Sequence, residues 1–219
     1  MKNILFIITA LLISSFNCLY AQTSKGTTLL GISSNINLSS PGPEFMNLGF
    51  SSIKYKSDAQ GFYEPEADKS MSFNLMPRIG FFPTDGISMG LDLSLAYSNQ
   101  TDGESAETYS SNVLCGGPFL RIYTVAEKVL PYFEGSCGFG VMNESYSDGM
   151  DSDENKSNIL TYGGCIGMAV LVGEKSSLDI SAGYHLFSIK DARDNPDDER
   201  AVLGTIGLKI GFTLLLGKN

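Results

Sequence analysis

Between residues 87 and 98 the chain reads ISMGLDLSLAYS. Ile87, Met89, Leu91, Leu93, Leu95 and Tyr97 alternate there with Ser88, Gly90, Asp92, Ser94, Ala96 and Ser98. A period of two over this length means a β-strand with two unlike faces. The same period recurs and predicts eight strands, at about 27–38, 70–82, 87–99, 110–125, 129–142, 158–173, 177–190 and 201–216. After the N-terminal region no apolar run has the length of a membrane-crossing helix, so any span must be made of strands. Pro77, Pro118 and Pro131 fall inside these runs and each removes a ladder hydrogen bond, which predicts bulges there.

Alternation does not say which face meets which solvent. A water-soluble barrel turns its apolar face inward, and a membrane barrel turns it outward. The connections begin to decide. PTDG at 83–86, EK at 127–128 and GEKS at 173–176 are tight, whereas 39–69, 100–109, 143–157 and 191–200 are long and polar. Long and short alternate strictly, as in an up-and-down barrel with its turns at one end and its loops at the other.

The charges sort the same way. Counting the last loop from Lys190, the long connections hold 18 acidic and 7 basic residues, −11 in a chain whose net charge is −9. The strands carry only Arg78, Arg121 and Lys209 against Asp92, Glu134 and Asp179, which sum to zero. A polar face meeting water would be rich in Lys, Glu and Thr. This one is mostly Gly, Ser, Ala and Asn, which suits the crowded interior of an eight-stranded barrel. The other face reads Met71, Phe73, Leu75, Ile79, Phe81 on one strand and Leu208, Ile210, Phe212, Leu214, Leu216 on another. In water this would be an apolar band beyond what monomers tolerate.

Register predicts how the six charges meet. Pairing Pro83 with Ile87 around a three-residue loop, with Gly86 left-handed, sets Arg78 opposite Asp92. Pairing Ala126 with Val129 sets Arg121 opposite Glu134. Lys209 and Asp179 lie on neighbouring strands and extend the network. Charges in a closed interior are tolerated only when paired.

The opening MKNILFIITALLISSFNCLYAQ has Lys2, a short apolar core and small residues ahead of a polar start. It reads as a signal peptide, residues 1–21, followed by one barrel domain over 22–219. The residues before Cys18 do not suit lipoprotein processing. Cys115, Cys137 and Cys165 are an odd set in an exported chain; opposite faces and an intervening strand keep them apart, which predicts free thiols. The acidic balance argues against nucleic acid as a partner.

The turn FFPTDG, the strand CGGPFLRIY followed by VLPYFEGSCGFG, the signal ending YAQ and the last strand LGTIGLKIGFTLLLG together resemble the small eight-stranded outer-membrane β-barrels, the OmpA/OmpX-like superfamily in its Bacteroidetes variety. The chain departs from their aromatic last residue, ending LLLGKN, and it has no Trp. The resemblance implies an all-β, antiparallel, up-and-down transmembrane barrel in the cell outer membrane. It also implies outer-membrane lipid and the outer-membrane assembly machinery as partners, no cofactor, and a structural or loop-mediated role without catalysis. Eight strands leave little room for a pore.

Two other functions compete. A secreted lipocalin-like carrier needs the apolar face inside. A barrel lipase or deacylase needs a base, and His185 is the only histidine, near Ser188 and Asp191. No nucleophile motif surrounds Ser188, and it is placed on the opposite strand face from His185. Asp151, Asp153 and Asn155 are spaced as in calcium loops, but Lys156 and Tyr162 stand where an EF-hand needs Gly and Glu. Asp197 and Asp198 have no companion base. GGCIGM and GSCGFG precede no helix, so they are not phosphate loops.

Overall fold

The computed structural model describes residues 23–37, 49–53, 68–103, 105, 107–124, 128–149, 151–192 and 199–217. The predicted signal peptide lies outside the described residues. Among the described residues nine strands form in chain order: β1 (Thr28–Asn37), β2 (Gly49–Ile53), β3 (Asp68–Thr84), β4 (Ile87–Thr101), β5 (Thr108–Tyr123), β6 (Val129–Ser147), β7 (Ser152–Leu171), β8 (Ser176–Asp191) and β9 (Ala201–Leu216). Each of β3 to β8 pairs antiparallel with the next, and β1 closes the ring by pairing with both β9 and β3. Eight strands make the barrel. The ninth, β2, lies along Asp68–Ser72 of β3, beyond the reach of β1. It falls within the expected loop 39–69; five residues are too few for alternation to stand out.

The wall between β1 and β3 is half laddered. Backbone pairing runs from Thr28–Phe81 to Ser33–Met76 and stops there. Just above, the Asn74 side chain replaces a peptide. Its Nδ2 donates to the Asn35 carbonyl at 3.1 Å and its Oδ1 accepts from the Asn35 N–H at 2.8 Å. Asn74 is only 1% exposed, as an amide in such a position must be.

Three expectations need correction. Pro77 and Pro118 interrupt a ladder without shifting its register, since Leu75–Leu95 continues to Arg78–Asp92 and Gly116–Phe139 to Phe119–Ser136. Pro131 sits opposite Met168 in an unbroken ladder. A missing N–H there costs a bond but inserts no residue. The register shift in this part of the sheet falls between Phe81 and Thr84, beside Pro83. The hairpin therefore closes on Thr84–Ile87, one residue tighter than the expected Pro83–Ile87 loop, with Gly86 at φ 72°. Finally, the expected loop 143–157 is mostly strand: β6 and β7 stay paired out to Ser147–Ser152.

Faces follow the alternation. Every barrel strand turns large apolar side chains outward, among them Ile32, Phe73, Leu91, Leu120, Ile166, Ile180, Ile210 and Phe139, the last 71% exposed. The band has an upper edge. On the outward face the cross-strand row Leu95–Leu114–Val141 gives way to Tyr97–Asn112–Asn143–Lys156. Cys115 is buried while Cys137 is exposed, and Cys115, Cys137 and Cys165 are all free thiols.

Inside, two apolar clusters fill the lumen. Leu29, Phe82, Phe119, Tyr123, Leu130, Tyr132 and Leu215 close the short-turn end. There the segment before β1 folds over the β3–β4 turn: the Gly86 N–H donates to the Thr23 carbonyl at 2.9 Å and the Lys25 N–H to Asp85 Oδ1 at 2.6 Å. Ala96, Val113, Met142, Ile159 and Phe187 form the second cluster, nearer the loops. The charges lie between.

Candidate functional site

Cross-strand pairing brings Arg78 opposite Asp92 and Arg121 opposite Glu134, and all four side chains point into the lumen. Arg78 Nη2 donates to Asp92 Oδ2 at 2.9 Å, and Arg121 Nε to Glu134 Oε2 at 2.7 Å. The network then crosses the barrel. Arg78 also donates to both Glu134 oxygens, at 2.8 and 3.0 Å, a bidentate pairing between β3 and β6. Arg121 Nη1 reaches Asp179 Oδ2 on β8 at 2.6 Å. Lys209 Nζ lies 3.3 Å from Glu134 Oε1, so Lys209 and Asp179 both extend the network, Lys209 through Glu134 and Asp179 through Arg121.

Glu134 is the hub. Three cations share its carboxylate, whose side chain is 2% exposed. Asp179 is held in turn by the hydroxyls of Ser177 at 2.7 Å and Thr213 at 3.1 Å. The guanidinium planes are covered by rings: Arg78 sits over Phe119 at 4.5 Å and Arg121 over Tyr132 at 3.9 Å. Buried charges survive in low dielectric only with this degree of pairing. Chemically the cluster is balanced in charge, with Arg78 Nε and Asp92 Oδ1 its two buried atoms without a protein partner, so it fastens the wall from inside.

Above it, under the second apolar cluster, is a cavity of about 80 Å³ lined in part by Asp92, His185, Thr205 and Lys209. Asp92 Oδ1 and Thr205 Oγ1 have no protein partner there, and the space accommodates water. His185 faces this cavity, opposite Thr205. Ser188 lies an odd number of residues further along β8, on the other face. Asp191 instead accepts from Asn155 Nδ2 at 3.2 Å and Ser157 Oγ at 2.9 Å. Neither Ser188 nor Asp191 therefore joins His185 in a Ser–His–acid arrangement. Among the described residues no three His, Cys, Asp or Glu side chains are grouped as a metal would need. Asp197 and Asp198 lie outside the described residues.

A further region was invisible in the sequence. Where β4 to β7 rise beyond the apolar band, cross-strand pairing sets Gln100, Tyr109, Tyr146 and Asp153 in one row and Ser98, Ser111, Glu144 and Asn155 in the row beneath. These line a groove of about 470 Å³ continuous with the lumen face. The Tyr109 and Tyr146 rings are 4.8 Å apart, tilted by 42°. Partial burial first, and the Asp191 carboxylate second, raise the Glu144 pKa above the ordinary carboxylate value. Only the register of four strands exposes the pattern.

An apolar exterior, a filled lumen that holds paired charges, and turns and loops at opposite ends are the design of a barrel whose solvent is lipid. The chain folds as a small outer-membrane-type β-barrel. Solved structures of this architecture are similar to it at low identity. Pseudomonas aeruginosa OprG is 14% identical, with 90% of this chain and 99% of that one covered and a TM-score of 0.47. The Yersinia pestis attachment invasion locus protein Ail is 16% identical, covering 87% and 98%, at 0.40. The Escherichia coli outer membrane protease OmpT is 9% identical, covering 87% and 92%, at 0.39. No protein-family profile matches the sequence, and no curated protein matches it.

Proposed function

We propose that this is an integral outer-membrane barrel that neither catalyses nor conducts, and whose work is done by its long-loop end. The observation that carries the reading is the pairing of an apolar outer band with a blocked lumen. Phe82, Phe119, Tyr123, Tyr132 and Leu215 fill the short-turn end, and the Glu134-centred charges fill the middle. A carrier of the lipocalin kind would need the apolar face inside, whereas Leu91, Ile166 and Phe139 face out. A lipase or deacylase would need His185 within reach of a nucleophile, and Ser188 faces away from it.

What varies freely on such a scaffold is the loop end. The connections there are acidic and are joined by the raised β6–β7 hairpin, which stands above the lipid edge marked by Asn112, Asn143 and Lys156. Cell fractionation tests the placement: the protein is expected in detergent-extracted outer membrane, with slower gel migration after boiling than before. Recovery in the soluble fraction without detergent would overturn it. Planar-bilayer recording tests the closed lumen, and large stable channels from the monomer would contradict it.

A further inference from the structure

We propose that the groove at the long-loop end, walled by β4 to β7 and reaching Ile189 on β8 and Leu203 on β9, binds an uncharged saccharide. This deepens the surface role above and rests on it only in requiring that end to face outward. The argument begins with the rings. Tyr109 is half exposed at the groove wall and braced by Tyr146 at 4.8 Å, a rigid aromatic platform with a polar rim. The C–H face of a pyranose packs on such a ring without needing charge.

Around it stand the groups that read hydroxyls. Gln100 and Asn155 supply an amide donor and an amide acceptor each, and Glu144 supplies a carboxylate that accepts from two neighbouring hydroxyls. The Ser111 hydroxyl at the groove is buried and has no protein partner. A concave site with one apolar surface and several convergent polar groups is the usual form of a small-ligand site. Its volume suits one to three sugar rings.

Charge then narrows the class. The long connections carry −11 and no cation is among the described residues that line the groove, so sulfated and uronic sugars are repelled on approach. Hydroxyl-rich, uncharged sugars remain.

The test uses the purified full barrel in polyoxyethylene micelles, because glycoside detergents would compete. Saturation-transfer NMR is run with maltotriose, triacetylchitotriose and trigalacturonic acid as probes, and starch and chitin beads carry the same neutral sugars in polymeric form. Transfer to at least one neutral trisaccharide, or retention on its polymer, is expected, with none to the uronic one. Tyr109→Ala should weaken binding about tenfold, which is what loss of one ring contact supplies. Tyr109→Phe keeps the ring and should keep the binding, and unchanged heat-modified gel migration shows that each variant folds. No transfer and no retention with any neutral sugar, undiminished binding by Tyr109→Ala, or preference for the uronic sugar would each overturn the proposal. Surface labelling of intact cells is a separate measurement: failure there removes the outward placement, while binding by the purified protein still reports on the groove.

Discussion

Arg78 and Glu134 stand on strands with two others between them, yet they meet through two hydrogen bonds of 2.8 and 3.0 Å across the lumen. Only a narrow barrel permits this, and the contact ties opposite walls together. Because Arg121 and Lys209 use the same carboxylate, its removal strands three cations at once.

Glu134→Ala should therefore lower stability by about 3–5 kcal/mol, the range for an orphaned buried charge, reduced by any water that enters. Glu174→Ala, in an exposed turn, should change it little. Removing Arg121 together with Glu134 should cost less than the sum of the two single changes. Urea unfolding in detergent, followed by gel mobility, reads all of these.

Gly31 faces Arg78 from the neighbouring strand, and a Cβ there would lie 2.7 Å from Arg78 Cγ. Arg78 cannot swing aside, since Asp92 and Glu134 hold its far end. Gly31→Ala should destabilise by about 1–3 kcal/mol, as overpacking does. The same unfolding assay checks it, and a neutral outcome would mean that the guanidinium is free to move.

Asn74→Leu removes both amide contacts to Asn35 and leaves that peptide unpaired on one side. The expected cost is about 1–3 kcal/mol. Asn74→Asp keeps the acceptor but sets a buried, unpaired carboxylate oxygen against the Asn35 carbonyl, so it should cost at least as much. Faster amide exchange at Asn35 in the leucine variant is the specific sign.

Glu144 gives a pH dependence. Its carboxyl is raised in the folded protein, so the folded state holds the proton more tightly than the unfolded chain. Its contribution to stability is present when it is protonated and fades as pH rises from the ordinary 4.5 through the raised value. Glu144→Gln should flatten that part of the melting-temperature profile. An unchanged slope would show that Asp191 and burial do not act on it.

Much of the wall was readable because lipid on one side and a packed lumen on the other enforce a period of two. Where both faces of a strand meet water the period is lost, and Glu144 to Tyr146 and Asp153 to Lys156 read as loop although they are paired strand. The six strand charges stood out by their scarcity, and turn register brought Arg78 to Asp92 and Arg121 to Glu134. The contacts of Arg78 with Glu134 and of Arg121 with Asp179 depend on curvature, which a linear pattern does not contain. Tyr109 and Tyr146 are 37 positions apart and become neighbours only when β5 is laid on β6.

The ring has one short weld. Seven of its joints are laddered over most of their height, whereas β1 meets β3 over only Thr28–Ser33 before side chains take over. Under load such a cylinder does not fail uniformly; it unzips from the notch. On the loop side of the notch β2 covers the β3 edge at Asp68–Ser72, and on the turn side the N-terminal strap crosses Asp85 and Gly86. The break between the two ladders is thus confined to Phe73–Leu75 and bridged by the Asn74 amide. Opening of the barrel therefore has a built-in starting point at that seam, with the Glu134 cluster as the internal brace beside it.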